Sequence, residues 1–362
     1  MSDFAFVVHP MDVENILQKF PFLGRLPHRV VEGCFRHLPP FRIARVKNIT
    51  SRASGQTISG LYVVCPLTSR QMLSQPEPHV LKRIIGAGKL AQKAGVRIVG
   101  LGALTSVIGD AGISVSQALR IPVTTGNSLT VAMALEGAKK ASSRLGIDVA
   151  EAEVVVIGAT GSIGAVCAQL MARECRYMTL VARDRVKLSG LAKKILHDSG
   201  QAVRVTTDIP RALSRAHIVI TVSSSAGDLV QPEYLVPGTV VCDVARPRDV
   251  SRRVAEERKD VLVIEGGLVE VPGEVSTDLD LGYPPNVTLA CVAETMVLAL
   301  EGKFESYTLG RELEVDKVEK ISIWARKHGF CLAGLRSFDR AVTDEEIMWI
   351  KKNGRRKKAA GS

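Results

Sequence analysis

The chain lacks the residues and spacings that several common functions need. None of its seven cysteines, at 34, 65, 167, 175, 242, 291 and 331, has CxxC spacing, and no cluster of Asp, Glu and His has metal-ligand spacing. Neither a metal site nor a disulfide framework is therefore expected. Aromatic residues make up only 4% and form no stacking platform, so nothing points to a nucleic-acid partner. No apolar run approaches a membrane span, and Met1-Ser-Asp3 lacks a signal-peptide pattern, so the expectation is a cytoplasmic protein.

What is present describes a globular chain. Of its 362 residues, 46% are hydrophobic and 23% charged, which excludes disorder and allows two core-forming domains. The net charge is +11, and six cations, Lys351, Lys352, Arg355, Arg356, Lys357 and Lys358, crowd the last twelve positions with no acid among them. The rest of the chain carries only +5 (11 minus 6). Such a segment reads as a solvated tail, or as an electrostatic grip on anionic lipid headgroups or an acidic carrier protein.

One segment carries a specific chemical signal. Val154-Val-Val-Ile157 is a β-branched run that leads into Gly158-Ala-Thr-Gly161-Ser-Ile-Gly164, and a helix follows through Arg173. This is the strand–turn–helix context of a dinucleotide-phosphate site. Gly158 permits the sharp turn, Gly161 lets backbone approach a pyrophosphate, and Gly164 lets the helix pack closely on its strand. Gly158, Ala159, Thr160, Gly161, Ser162 and Ile163 are the candidate cofactor residues, with phosphates resting on helix-terminal N–H groups. A second strand, Tyr177 to Val181, ends at Arg183 and Asp184. Arg183 suits the 2′-phosphate of NADPH because guanidinium is planar and always charged, whereas Asp184 would suit the ribose of NADH. Ser223 follows a further strand, His217 to Val222, at the sheet edge where such folds place ligand-binding loops.

The pattern predicts an α/β protein: a central doubly wound Rossmann domain joined by helices to a mixed α/β N-terminal substrate domain. The expected boundaries are 1–145 for the substrate domain with its linking helix and 146–285 for the NAD(P)-binding domain. Helices over 286–335 would complete the active site, and 336–362 would form the basic tail. Helices are predicted over 78–94, 129–145, 287–301 and 315–328 from their 3.6-residue periodicity and flanking glycines. A helical linker entering a central dinucleotide fold resembles the architecture of shikimate dehydrogenase-like proteins.

Cys291 is the candidate catalytic residue. It falls in the first turns of the helix predicted after Asn286, where the helix dipole favours a thiolate, and a thiolate can attack an acyl thioester. Its apolar neighbours, Ala290-Cys-Val-Ala293, equally suit a cysteine that merely fills space. Glu294, three residues on, either orients a proton donor or favours the same dipole.

Seven segments together resemble the cyanobacterial long-chain acyl-[acyl-carrier-protein] reductases, which make fatty aldehydes with NADPH. They are Gly60-Leu-Tyr-Val-Val-Cys65, Gly100-Leu-Gly-Ala-Leu-Thr-Ser106, Thr124-Thr-Gly-Asn-Ser-Leu-Thr130, Gly158 to Gly164, Gly266-Gly-Leu-Val-Glu270, Ala290-Cys-Val-Ala-Glu294 and Arg326-Lys-His-Gly-Phe330. The resemblance implies that Cys291 carries the acyl group as a thioester and that the glycine turn binds NADPH. It implies acyl-carrier protein or acyl-CoA as the acyl donor, and it adds Cys65 as a second thiol to consider. The chain departs from that family at Asp243-Val-Ala-Arg-Pro-Arg248, at Val271 and in its basic end. Two other expectations fit the residues: an NAD(P)-dependent dehydrogenase of a polar metabolite, and a non-catalytic cofactor-sensing protein.

Overall fold

The computed structural model describes residues 2–223, 227–245, 248–280, 282–338 and 340–360, the last six of these as backbone only. The chain divides into two compact units. The first comprises Met1–Ser128, Glu270–Glu312 and Lys320–Cys331, and the second Leu129–Val269, Leu313–Glu319 and Leu332–Ser362.

The first unit is built on β1 (Phe4–Val8), which pairs in parallel with β3 (Thr57–Val64) on one side and β4 (Ile98–Leu101) on the other. Strand β2 (Phe41–Thr50) joins β3 in antiparallel register, and β5 (Val123–Thr124) joins β4 in parallel. A strand buried on both faces has no polar alternation, which is why Phe-Ala-Phe-Val-Val gives no amphipathic signal. Ala5 and Val7, with Leu61, Val63, Val99 and Leu101, pack against helix α1 (Glu77–Lys93) through Val80, Ile84, Ala87 and Ala91. Phe4 and Phe6 point to the opposite face, where Phe6 lies in register between Tyr62 and Gly100. From that first unit the chain enters helix α2 (Asn127–Leu145).

The second unit is a sheet of six parallel strands. They are β6 (Glu153–Ile157), β7 (Tyr177–Val181), β8 (Arg204–Thr206), β9 (Ile218–Thr221), β10 (Val240–Asp243) and β11 (Leu262–Glu265), in the spatial order β11-β10-β9-β6-β7-β8. In that order the first strand of the unit lies beside the fourth, which is the doubly wound Rossmann arrangement with its switch point between β6 and β9. One face of the sheet packs Val154, Val156, Ile218 and Ile220 with Val131, Ala134 and Ala138 of α2 and with Val166 and Cys167 of α3 (Ser162–Met171). Helix α4 (Arg185–Ser199) follows β7.

The chain returns to the first unit near Glu270. There β12 (Ser276–Thr277) pairs with β2, and β13 (Val287–Leu289) leads into α5 (Ala290–Leu300). The helix expected from Val287 therefore starts three residues later, because Val287-Thr-Leu289 is extended; Cys291 becomes its second residue. Helix α6 (Val315–His328) has the predicted limits. Residues read as a solvated tail instead lie on a helix, α7 (Asp344–Ala360), whose Ile347 and Ile350 are buried in the core of the second unit. Those two isoleucines, three apart, give the segment a packed face that the run of cations obscures. None of the described helices is long and apolar enough to cross a membrane.

A buried polar chain fastens the end of α6 to the first unit. His328 bonds the Ser51 hydroxyl through Nδ1 at 2.8 Å and the Glu301 carboxylate through Nε2 at 2.7 Å, while Lys327 donates to both Glu301 oxygens. Burial pushes the Glu301 carboxyl up, but the bonds from Lys327 and His328 outweigh it and leave its pKa below the usual carboxylate range. A depressed folded-state pKa contributes stability above the unfolded pKa that is lost as pH falls through the folded value. Wild type should therefore unfold more easily in urea as pH drops from roughly 5 to 3. Glu301→Gln should be the less stable protein at pH 7, with a gap that narrows over the same interval.

Candidate functional site

In the second unit the glycine turn joins β6 to α3 at the switch point. Gly158 has φ +78°, a conformation that suits glycine, and a Cβ there would press on the backbone of Val222 and Ser223 at about 3.0 Å. At Gly164 a Cβ would overlap the Gly158 carbonyl, so the first turn of α3 can approach β6 only without one. Gly161 is the N-cap of α3 and has no side chain to cap the helix, which leaves its first N–H groups without a side-chain acceptor. Ala159 is buried beneath the turn, Thr160 stands half-buried on it, and Ser162 and Ile163 form the first helical turn. The turn is therefore a backbone cradle of the kind that holds phosphates.

The remaining cofactor candidates sit on the same edge of the sheet. Arg183 lies two residues beyond the end of β7 and is exposed. Asp184 is the N-cap of α4, its Oδ1 accepting from the amides of Val186 and Lys187. That engagement gives the carboxylate a structural task at the point where an NADH-type ribose acceptor was one reading. Ser223 donates both its amide (2.9 Å) and its hydroxyl (2.5 Å) to Asp249, which also accepts from Thr221. Residues 224–226 of that loop lie outside the described residues.

Asp249 was missed by sequence reasoning. It is fully buried and fixes the end of β9, while Asp243 at the end of β10 accepts from the amides of Ala245, Asp249 and Val250. An Asp closing a β-branched strand, with another six residues on, was the available signal; its meaning depends on loops that fold back over the sheet.

Cys291 belongs to the first unit. Helix α5 is enclosed on all sides: every one of its residues is buried except Cys291, which is half-buried. The thiol is the second residue of a helix whose N-cap, Leu289, offers no side-chain cap. Against it runs the backbone of Gly126, with φ +75°, where a Cβ would overlap the Cys291 backbone and Cβ. The backbone of the Thr124–Asn127 turn is thereby brought against the cysteine. Cys65 has a different fate: it is wholly buried, and burial pushes its thiol up to about 12 despite the nearby Arg83. It is a packing residue.

Glu294 holds the turn in place. Its carboxylate is fully buried and accepts from the Thr124 hydroxyl at 2.5 Å and the Thr308 hydroxyl at 2.8 Å. Thr308 in turn donates its amide to Thr124 and meets Ser128, and its carbonyl accepts from the Thr125 amide. Glu294 is thus an anchor of the loop that touches Cys291, rather than a residue serving only the helix dipole.

Residues 139–265 match the family described as Shikimate / quinate 5-dehydrogenase. The chain is 30% identical to Aminotransferase PigE of a Serratia species over 96% of its own length, but spans only 42% of that protein. It is 28% identical to the Long-chain acyl-[acyl-carrier-protein] reductase of Synechococcus elongatus, over 80% of this chain and 87% of that one. The chain therefore covers less than half of the first relative and most of the second. The solved NAD-dependent malic enzyme of Thermotoga maritima aligns with 91% of this chain and 85% of its own at 14% identity, with a TM-score of 0.39, too loose to place a residue. With the strand order above, the chain has an oxidoreductase-type NAD(P)-binding fold.

The close approach at Gly126 gives a test. Gly126→Ala should lower stability by about 2–4 kcal/mol in urea titrations, because strain at positive φ adds to a backbone overlap. Gly190→Ala, on α4 with open space around it, should instead raise stability by about 0.5–1 kcal/mol.

Proposed function

We propose that this chain reduces a fatty acyl thioester to an aldehyde with NADPH, through an acyl group held covalently on Cys291. The observation that carries the reading is the one opening in an otherwise buried helix: a cysteine at its N-terminus, pressed by the backbone of a glycine turn. The similarity to a reductase that acts on long-chain acyl-carrier protein, over most of both chains, supports the same chemistry.

Each residue then has a task. The Cys291 sulfur attacks the thioester carbonyl of the acyl donor, forming an S-acyl bond as the donor thiol leaves. The Thr124–Asn127 turn packs against the cysteine, and Glu294 keeps that turn in register. In the second unit, Gly158, Ala159, Thr160, Gly161, Ser162 and Ile163 would hold the pyrophosphate, and Arg183 the 2′-phosphate. Bound there, NADPH would supply hydride for the acyl carbon. Ser223 would support the pocket by keeping β9's end tied to Asp249. The cations of Lys351 to Lys358 suit an anionic donor, acyl-carrier protein or acyl-CoA, or an anionic lipid surface.

The name of the longer relative fits this chemistry. An aminotransferase needs a carbonyl acceptor, and an aldehyde is one, so reduction of a thioester and transamination are consecutive steps that one protein can carry.

Intact-protein mass spectrometry tests the reading. Wild type incubated with a long-chain acyl thioester should gain the acyl mass, Cys291→Ala should not, and NADPH should discharge the adduct as aldehyde. No adduct with several chain lengths and both carriers, despite NADPH binding, would sink it. Arg183→Ala should weaken NADPH binding at least 10-fold and leave NADH binding within about 2-fold, measured by calorimetry.

A further inference from the structure

Charge is unevenly spread along the first unit. Residues 15–76 hold nine Lys or Arg, at 19, 25, 29, 36, 42, 45, 47, 52 and 70, against one acid, Glu32, for a net +8 (9 minus 1). With +6 in the C-terminal segment, all other residues together sum to −3 (11 minus 8 minus 6). Glu32 does little to offset its neighbours at the surface. It is 5% exposed and accepts from the Thr68 hydroxyl at 2.5 Å and from Arg70.

Within this segment lie a short 3-10 helix, Pro21–Arg25, and an α-helix, His28–Phe35. The α-helix turns Val31, Glu32 and Phe35 inward, and Val31 and Phe35 pack with Val13, Ile16 and Val64. The preceding residues face outward: from Pro21 to Val30 every position except Leu23 is exposed. Four large apolar side chains are left in water here, Phe22 at 73% exposure, Leu26 at 43%, Val30 at 45% and Leu38 at 44%. Singly such residues are ordinary, but a cluster of them marks a surface that meets something else. Exposed Arg25, Arg29 and Arg36 are interleaved with them. Neither Arg25 nor Arg29 makes an ion pair among the described residues, while Arg36 donates to His37 at 3.2 Å. Glu14 meets His28 at 3.5 Å beside this run.

We propose that the segment from Phe22 to Leu38 is a docking surface for an anionic lipid bilayer. Phe22, Leu26 and Val30 would enter the headgroup layer, and Arg25, Arg29 and Arg36 would meet lipid phosphates. The alternation carries the choice of partner. A bilayer interface takes both kinds of side chain at once, apolar groups at the acyl boundary and guanidinium groups at the phosphates. The net +8 around the run draws it to a negative surface, where each Lys or Arg strengthens binding about 5-fold. An acidic protein would satisfy the arginines but would leave Phe22 in water unless it carried a matching recess. The inference goes beyond the thioester reading and does not depend on it.

Vesicle sedimentation with the full chain tests the proposal. The probes are vesicles of equimolar phosphatidylglycerol and phosphatidylcholine, and vesicles of phosphatidylcholine alone. Wild type should sediment with the anionic vesicles and stay in solution with the neutral ones. Phe22→Ser combined with Leu26→Ser should weaken anionic-vesicle binding about 10-fold through lost apolar burial. Arg25→Gln combined with Arg29→Gln should weaken it about 20-fold at the same salt. Val30→Ser should weaken it about 3-fold and replaces the first pair if circular dichroism shows that pair unfolded. A control carrying Arg355→Gln, Arg356→Gln, Lys357→Gln and Lys358→Gln should lose less than the Arg25 and Arg29 pair. Wild type that stays in solution with anionic vesicles overturns the proposal. So does undiminished binding by the folded apolar variant or by the arginine pair, or abolition of binding by the control alone. Variants that bind vesicles as wild type but lose affinity for acyl-carrier protein would assign the surface to an acidic protein, and the lipid assignment would fall.

Discussion

The first unit is organised around one buried carboxylate. Placing Glu294 wholly out of water costs several kcal/mol unless every approach to it is satisfied, and threonine hydroxyls from two separate segments meet it. Because those hydroxyls come from Thr124 and Thr308, the carboxylate cannot be satisfied without fixing both chains relative to α5. Gly126 then has to pass over Cys291, and only a residue without Cβ fits. The position of the Cys291 thiol therefore follows from a hydrogen-bonding requirement one helical turn away.

Helix α5 shows how one thiol stays accessible in a packed interior. A helix buried on all sides gains its stability from packing, and each position except one spends its surface on the core. The exception, Cys291, lies at the end where unpaired N–H groups collect. In the same region Gly100 gives way to Thr295, and Phe4 and Phe6 occupy the room left by Gly60 and Gly102. Small residues on the strands let the helix sit close to the sheet.

The second unit uses a different economy of means. Its candidate phosphate site is almost entirely backbone: glycines allow the turn and the close approach, and helix-terminal amides supply the donors. Side chains enter one layer further out, where Asp243 and Asp249 receive the amides and hydroxyls of the strand-end loops. A site of backbone donors tolerates change in its side chains and is sensitive to any added Cβ.

Much of this was legible in the sequence wherever structure is local. The β-branched run into Gly158–Gly164, the strand Tyr177–Val181 and the limits of α6 follow from neighbours within a few residues, since turns, caps and periodicity act over that range. Cys291 was legible as a helix-start thiol, though the strand Val287–Leu289 before it was not, its three residues suiting either state. The strand Phe4–Val8 gave no alternation because both its faces are covered, and α7 was hidden by its cations until Ile347 and Ile350 found a core. Tyr62 read as an ordinary strand residue and Thr288 as part of the helix expected over 287–301. Only tertiary packing could make one an interior phenol and the other an interior hydroxyl, because burial is a property of the folded chain and of no segment alone.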